Sequence, residues 1–510
     1  MTDDVSSTES HLQETARLKR FREQRLKKID ELRARDIDPY PPGPVEKVAA
    51  TVALALPNGT PVTVAGRVML FRLMGNIAFL QLRDESGNIQ IMLSRHTIEG
   101  EDRHGDYKFL VHCLDVGDII AVDGERFETK TGEQSVNAQR VTFLAKSLLP
   151  LPDKHAGVAD PDVLLRKRYL DILLNDDVRD MIYKKARFWR SIREYLEQQG
   201  FVEVQTPALE LTTGGADARP FVTYHNYLGV DVRLRISMGE LWQKRLLVAG
   251  LEKVFEIGRQ FRNESQSREH LNDYDQMEFY WAYADYEAGM KMVEDLFRYM
   301  AVQTFGKLAF QLHRNGRRHD IDLEQQWTRY DYVDTVERLS GMNVLAASTE
   351  NITAKLDQLG VAYESDGLNR ARVVDALWKY CRRQLSGPGF LVDEPVDVSP
   401  LAKRHPRNPA LVQRFHVIIA GSELGNGYGE LNDPVDQAER FAEQERLRAG
   451  GDEEAQMTDN DFVEALQYGM PPACGFGMSE RVFAFFMDKS VRECQIFPLL
   501  KPQRTSEQGE

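Results

Sequence analysis

The sequence predicts an α+β protein in two folded parts, a small all-β barrel followed by a larger unit in which strands and helices mix. Three observations predict it. The chain has 510 residues, more than one hydrophobic core usually organises. Between about Thr51 and Leu149 apolar residues recur at every second position, the period of strands. Beyond residue 162, helical periodicity alternates with short apolar runs closed by glycine or proline.

Ahead of the barrel, Arg17 to Arg35 hold nine Lys or Arg against three acids. Leu18, Phe21, Leu26, Ile29 and Leu32 fall within roughly 140° of a helical wheel. This is the pattern of one amphipathic helix, stopped by Pro39, Pro41 and Pro42. Its basic face is either simply solvated or an RNA contact. In the barrel segment, Val62, Val64, Val68 and Leu70, then Ile77 and Phe79, then Ile89, Ile91 and Leu93 mark strands, with turn signals at Asp84 to Asn88 and Lys130 to Glu133. Several short strands in so few residues fit an oligonucleotide-binding (OB) fold, whose open face suits single-stranded bases. Phe79 is then a stacking platform or a core residue. The stretch LLPLPDKHAGVADPD, 148–162, carries three prolines and little periodicity, as a linker does. The expected domains are a basic helical extension (1–50), the barrel (51–149), a linker (150–162) and the main unit (163–510).

Composition narrows the class. Hydrophobic residues at 42% and charged residues at 28% are ordinary for a globular protein. Cys113, Cys381, Cys474 and Cys494 lie far apart without metal-ligand spacing, which fits reduced thiols in a cytoplasmic protein. Neither a signal peptide nor a run of transmembrane length is visible, so no membrane is expected. A formal charge of -14 argues against nonspecific coating of nucleic acid, though not against a local basic patch.

In the main unit a helix is expected from Val178 to Gln199, with Ile182, Ala186, Trp189, Ile192 and Leu196 on one stripe and Gly200 as its stop. FVEVQTP follows as a strand ended by Pro207, then the polar loop LTTGGADARPF, then a strand leading into a helix that carries Glu240. The stretch Glu256 to Tyr286 reads as strand, polar loop, strand. Arg262 and Glu264 share one face there, as do Glu278 and Tyr280. A guanidinium clamps phosphate or carboxylate oxygens, and a carboxylate on an apolar sheet face is costly unless a cation arrives. The plain alternative is a structural ion pair between Arg262 and one of the acids. Residues 287–400 show helical patterns and the loop HPRNP follows, with nothing tied to chemistry. Further on, Glu423 and Glu430 stand among small residues that let a ligand come close. The glycines at 475 and 477 read as a turn opening an apolar helix at Arg481, where backbone amides and a guanidinium favour phosphate.

Taken together these segments resemble a class II lysyl-tRNA synthetase from about residue 13 to residue 502. FVEVQTP, FRNE (261–264) and GFGMSER appear in the order of the three class signatures, and GGADARPF, QKRLLVAG, MEFYWAYADY, VSPLAK and ELNDPVDQAERF match the lysine branch. The resemblance implies a seven-stranded antiparallel sheet with flanking helices, an anticodon-binding OB fold and a homodimer. It implies ATP and L-lysine as substrates, tRNA(Lys) as partner and Mg2+ as cofactor. Arg262 would bind the α-phosphate and the substrate carboxylate, Glu264 the adenine amino group, His270 the outer phosphates and Arg481 the γ-phosphate, so that Arg262 and Arg481 are catalytic, while Tyr274 would stack on adenine. Glu240 and the Gly215 carbonyl would take the α-ammonium, Asn426 the carboxylate, and Glu278, Tyr280 and Glu430 the ε-ammonium. Arg72, Phe79 and Gln90 would contact the anticodon.

Several positions depart from the family. His416 stands where a magnesium-binding glutamate is usual, seven residues before Glu423, and is a poorer ligand for a hard cation, which leaves the metal number open. ISMGELW is one residue longer before Glu240 and GFGMSER one shorter before Arg481. Tyr274 replaces a phenylalanine, Glu269 an arginine, and LNDYDQ an NPEFT-like run. Three functions remain in view: a lysyl-tRNA synthetase, a relative that makes lysyl-adenylate to modify a protein, and a noncatalytic RNA-binding paralogue. The N-terminal barrel disfavours the second, and the presence of Arg262, Glu264, Glu423 and Arg481 the third.

Overall fold

The computed structural model describes residues 3–502 except 100–105, 153–160, 217, 266, 315, 364–369, 397–398 and 451–455. Most of the expected linker therefore lies outside the described residues. The chain divides into two compact units, Met1–Pro161 and Asp162–Glu510.

In the first unit a helix, α1 (Asp3–Arg33), precedes a closed five-stranded barrel of β1 (Pro61–Met74), β2 (Ile77–Arg83), β3 (Asn88–Ser94), β4 (Ile119–Glu128) and β5 (Gln134–Ala145), in the order β1-β2-β3-β5-β4. Val64, Val68, Leu80, Leu82, Ile91, Leu93 and Val122 point inward and exclude water. Each such side chain contributes about 1.5–3 kcal/mol through apolar burial. Ile77 and Phe79 belong to the other face, because Ala78 and Leu80 are the buried pair on β2. Leu70 is exposed as well, since a register shift between Val68 and Leu70 turns the end of β1 over. The basic helix is partly structural. Ile29 and Leu32 are buried, Arg25 donates to the Val116, Ser147 and Leu149 carbonyls, and Lys28 pairs with Asp115 at 2.8 Å. Arg17, Lys19, Arg20, Arg22, Lys27 and Arg33 remain exposed.

The second unit is built on a nine-stranded sheet. Along it run β9 (Thr328–Asp331), β10 (Gly389–Pro395), β11 (Asn408–Ile419), β12 (Ser422–Gly429), β13 (Ala473–Ser479), β8 (Asp273–Ala282), β7 (Lys253–Phe261) and β6 (Val202–Glu203), with Arg404–His405 beside β11. The expected seven antiparallel strands are thus corrected: the pairs β6–β7 and β9–β10 are parallel, so the sheet is mixed at both edges. FVEVQTP supplies only the two residues of β6. A helix over Asp176–Gln198, capped by Asn175 and stopped where Gly200 takes φ +82°, buries Met181, Phe188, Ile192 and Leu196 against the sheet. Ala186 is exposed, because Phe188 and Tyr195 shift the apolar stripe around the helix. Helices at Tyr332–Ser340, Thr349–Leu359 and Arg370–Arg382 pack around Trp378 and Leu377 in a separate core reaching Leu391 and Ile418.

Candidate active site

One face of the β7–β8–β13–β12 region closes a cavity of about 360 Å³. Its lining includes Gly215, Glu240, Arg262, Glu264, His270, Tyr274, Glu278, Tyr280, His416, Glu423, Asn426, Glu430 and Arg481, all the candidate residues of this unit.

The acidic end is set by strand alternation. Glu278 and Tyr280 share a face of β8, and β13 pairs Gly477 with Glu278 and Gly475 with Tyr280. These glycines lie in a strand, not in the expected turn. Their purpose is clearance: a Cβ at 475 would come within 2.7 Å of the Tyr280 ring, and one at 477 within 3.1 Å of Glu278 Cγ. Glu278 accepts from Tyr280 Oη (2.9 Å), Ser237 Oγ (3.2 Å) and the Met238 N–H (3.3 Å). Burial, with repulsion from Glu240, still lifts its pKa to about 7. Glu240 opens the helix Glu240–Val248 behind Gly239, which takes φ +62°. Gly215, at φ +85°, runs close enough that a Cβ would meet Glu240 Cβ at 3.1 Å.

Sequence reasoning missed Lys244. Its Nζ is fully buried and lies 2.6 Å from Glu240 Oε1 and 2.5 Å from Glu430 Oε2. Tyr428 Oη also donates to Glu240 Oε1. Burial pushes the Glu430 carboxyl up, against the attraction of Lys244, whereas both acids raise the Lys244 ammonium. An ammonium flanked by two carboxylates at such distances stays charged, so the proton resides on Lys244. Neither carboxylate oxygen of Glu430 has a hydrogen-bond partner among the described residues, Oε2 having only its ion pair with Lys244, and Glu430 lines the cavity.

At the other end, Arg262 and Glu264 lie just past β7, on the loop between β7 and β8, rather than sharing a strand face as expected. Asn272 clamps that loop, donating to the Arg262 and Glu264 carbonyls at 2.9 and 2.6 Å. Arg262 donates to the Ile236 carbonyl (3.2 Å), sits 5.7 Å from the Tyr274 ring centre and makes no ion pair among the described residues, which sets aside the structural-pair alternative. Arg481 faces Glu269 at 3.7 Å, a weak pairing supplied by one of the departures, and still lines the cavity despite the shorter GFGMSER. Burial, then Arg481 and Arg262, disfavour the His270 imidazolium. Asn426 accepts from Arg414 Nε at 2.9 Å, which leaves its amide N–H groups for a ligand. Arg414 also lines the cavity and was not visible in the sequence, where it reads as the polar start of an apolar strand.

His416 and Glu423 do not fit as the expected magnesium ligands. His416 Nε2 lies 2.6 Å from Glu394 Oε1, Arg382 Nη1 lies 2.6 Å from Glu423 Oε2, and Trp378 Nε1 donates to Glu423 Oε1 at 2.5 Å. Against its burial, Arg382, His416 and Trp378 bring Glu423 down to about 2. A hard cation needs free oxygens, and here both oxygens of the one carboxylate already take N–H donors. Among the described residues no group of three or more His, Cys, Asp or Glu is arranged to hold a metal.

On the barrel, Arg72 pairs across from Phe79, and Gln90 lies one pleat along from Met92, the partner of Phe79 on β3. All three face outward. Phe79 and Gln90 are half-buried, Arg72 is exposed, and Gln90 Nε2 donates to Ser135 Oγ at 2.9 Å.

Comparison with known proteins agrees with both units. The profile of the tRNA synthetases class II (D, K and N) matches residues 160–501, and that of the OB-fold nucleic acid binding domain matches 62–144. A lysine–tRNA ligase of Thermotoga maritima is 40% identical over 96% of this chain and 98% of its own length. The chain belongs to the lysine–tRNA ligase family of class II tRNA synthetases. Other members are similarly close: that of Roseiflexus sp. (strain RS-1) is 41% identical over 95% of this chain and 99% of its own. That of Thermoanaerobacter pseudethanolicus is 38% identical over 98% and 99%. Among the described residues no helix is long and apolar enough to cross a membrane.

Proposed function

We propose that the protein activates L-lysine with ATP to lysyl-adenylate and transfers the lysyl group to the 3′ end of tRNA(Lys). The observation that carries this is a single cavity with buried acids at one end and guanidinium groups at the other. In this reading Glu278, Tyr280 and the unpartnered Glu430 Oε1 receive the ε-ammonium, Glu240 and the Gly215 carbonyl receive the α-ammonium, and Arg262 with Asn426 holds the carboxylate. Glu264 takes the adenine amino group and Tyr274 the ring, while Arg262, His270 and Arg481 face the phosphates. A site built for a hydrogen-bonding cation rejects analogues that lack it, and aspartate is excluded by like charge.

The protein's part is positional and electrostatic. A lysine carboxylate oxygen attacks the α-phosphorus, the bond to the bridging oxygen breaks, and pyrophosphate leaves as Arg262 and Arg481 meet the growing charge. A terminal ribose hydroxyl of tRNA, by class the 3′ one, then attacks the adenylate carbonyl carbon and AMP departs. Arg72, Phe79 and Gln90 take the anticodon by stacking and polar contact. The exposed arginines and lysines of α1 extend the RNA contact, with 1–50, 51–149 and 163–510 as working domains. We also place the enzyme in the cytoplasm as a homodimer. Exchange of pyrophosphate into ATP, run with each standard amino acid, tests this: lysine alone is expected to support rapid exchange, and equal exchange with aspartate or asparagine refutes it. Charging of purified tRNA follows.

A further inference from the structure

Behind Glu423, on the side of the cavity where a metal would be expected, stands a protein cation, Arg382, which touches that carboxylate without lining the cavity itself. The helix Arg370–Arg382 packs through Leu377 and Trp378 into its own core and ends by presenting Arg382 to β12. There Arg382 Nη1 binds Glu423 Oε2 at 2.6 Å, while its buried Nε has no hydrogen-bond partner among the described residues. Trp378, one turn earlier on the same helix, fixes the other oxygen of Glu423. Next to them Arg414 Nη1 and His416 Nε2 both lie on Glu394, at 3.2 and 2.6 Å. Glu423, Arg414, His416, His270 and Arg481 all line the cavity. The field of Arg382 reaches across it: after burial, Arg382 is among the charges that disfavour the cationic forms of His270 and Arg481.

We propose that Arg382, docked on Glu423, supplies to the phosphate chain of ATP the fixed positive charge that a protein-held divalent cation would otherwise supply. The inference rests on the reading of this cavity as the ATP site. A delocalised, permanently charged guanidinium suits phosphate oxygens, and its rigid fork can keep one N–H on Glu423 while offering others to a ligand. Glu423, with both oxygens occupied, serves as the anchor of Arg382 and not as a metal ligand. His416 is accommodated for the same reason, since its partner is a carboxylate and no cation need touch it.

The test is equilibrium binding of a nonhydrolysable ATP analogue by calorimetry, in EDTA and in magnesium, together with spin-resonance counting of Mn2+ bound to nucleotide-free enzyme. Wild type is expected to bind the analogue within about threefold in the two buffers and to bind no Mn2+ of its own. Arg382→Ala is expected to lose tenfold or more in EDTA and to regain part of that in magnesium, whereas Arg382→Lys keeps most of the affinity in EDTA. A stoichiometric Mn2+ site in the free enzyme that Glu423→Gln removes would overturn the proposal. So would a wild-type affinity that collapses in EDTA while Arg382→Ala follows it unchanged. If the alanine variant does not fold, the lysine variant and the wild-type measurements decide alone. Failure of the site reading itself looks different: the analogue then binds nowhere in either buffer, or its binding ignores Arg262→Ala.

Discussion

At its acidic end the cavity is furnished from strands and a helix start, and Glu240, Glu278, Tyr280 and Glu430 are all buried there. At its cationic end Arg262, Glu264 and His270 stand on a loop and are half-buried or exposed. The difference separates two jobs. The acids are held before any ligand arrives, Glu240 and Glu430 by Lys244 and Glu278 by Tyr280 and Ser237, so changes among them disturb the fold as well as affinity. The cations are held by backbone contacts such as Asn272 to the loop carbonyls, so changes among them should act on ligand and rate while sparing stability.

Arg262→Ala should therefore lower pyrophosphate exchange by roughly a thousandfold, as loss of a charge aimed at the reacting group does, with the urea midpoint unchanged. Unfolding of this variant would break the contrast. Lys244→Met should destabilise the fold by about 3–5 kcal/mol, the usual effect of stripping one partner from a buried ion pair. Urea denaturation checks it, and unaltered stability would mean that the acids are not charged in the folded protein. The barrel face offers a control outside both ends. Phe79→Ala should weaken tRNA charging by about 1–3 kcal/mol, the range for one stacked base, and leave exchange intact. Loss of both activities would make Phe79 structural.

The smallest effect is one of pH. Glu278 has a folded pKa of about 7 against an ordinary 4.5, so its proton is retained in the fold. The sign follows: its contribution to stability turns unfavourable as pH rises from 4.5 towards 7, whereas an incoming ammonium prefers the ionised form. The KM for lysine should fall by up to about tenfold between pH 6 and 8, following the ionised fraction. Glu278→Gln should flatten that profile, and a profile unchanged by the substitution would assign the titration elsewhere.

Much of the site was legible because it follows local rules. Glu278 and Tyr280 lie two apart in an apolar run, and alternation alone puts them on one face with Gly475 and Gly477 opposite. The glycines were misread because an isolated glycine signals a turn and a close approach equally well, and only the neighbouring strand decides. Lys244 was invisible for a different reason. In sequence it is a lysine one turn after a glutamate on a helix, a pattern that usually means a solvated i,i+4 pair, and its burial depends on Glu430 from far along the chain. Arg382 and Trp378 likewise look like the end of an ordinary amphipathic helix until β12 brings Glu423 to them. Whether Phe79 faced in or out was open in the sequence because β2 is apolar on both of its alternating sets, Ile77 with Phe79 and Ala78 with Leu80, and only closure of the barrel decides which set is buried.

The enclosed amine at position 244 also sets a tally for whatever enters. Two carboxyl groups, from Glu240 and Glu430, flank one resident ammonium, so one negative charge is left over in a dry chamber. A guest whose side chain ends in an ammonium would meet that surplus, whereas one without it, such as norleucine or an Nε-acylated lysine, would leave it uncompensated.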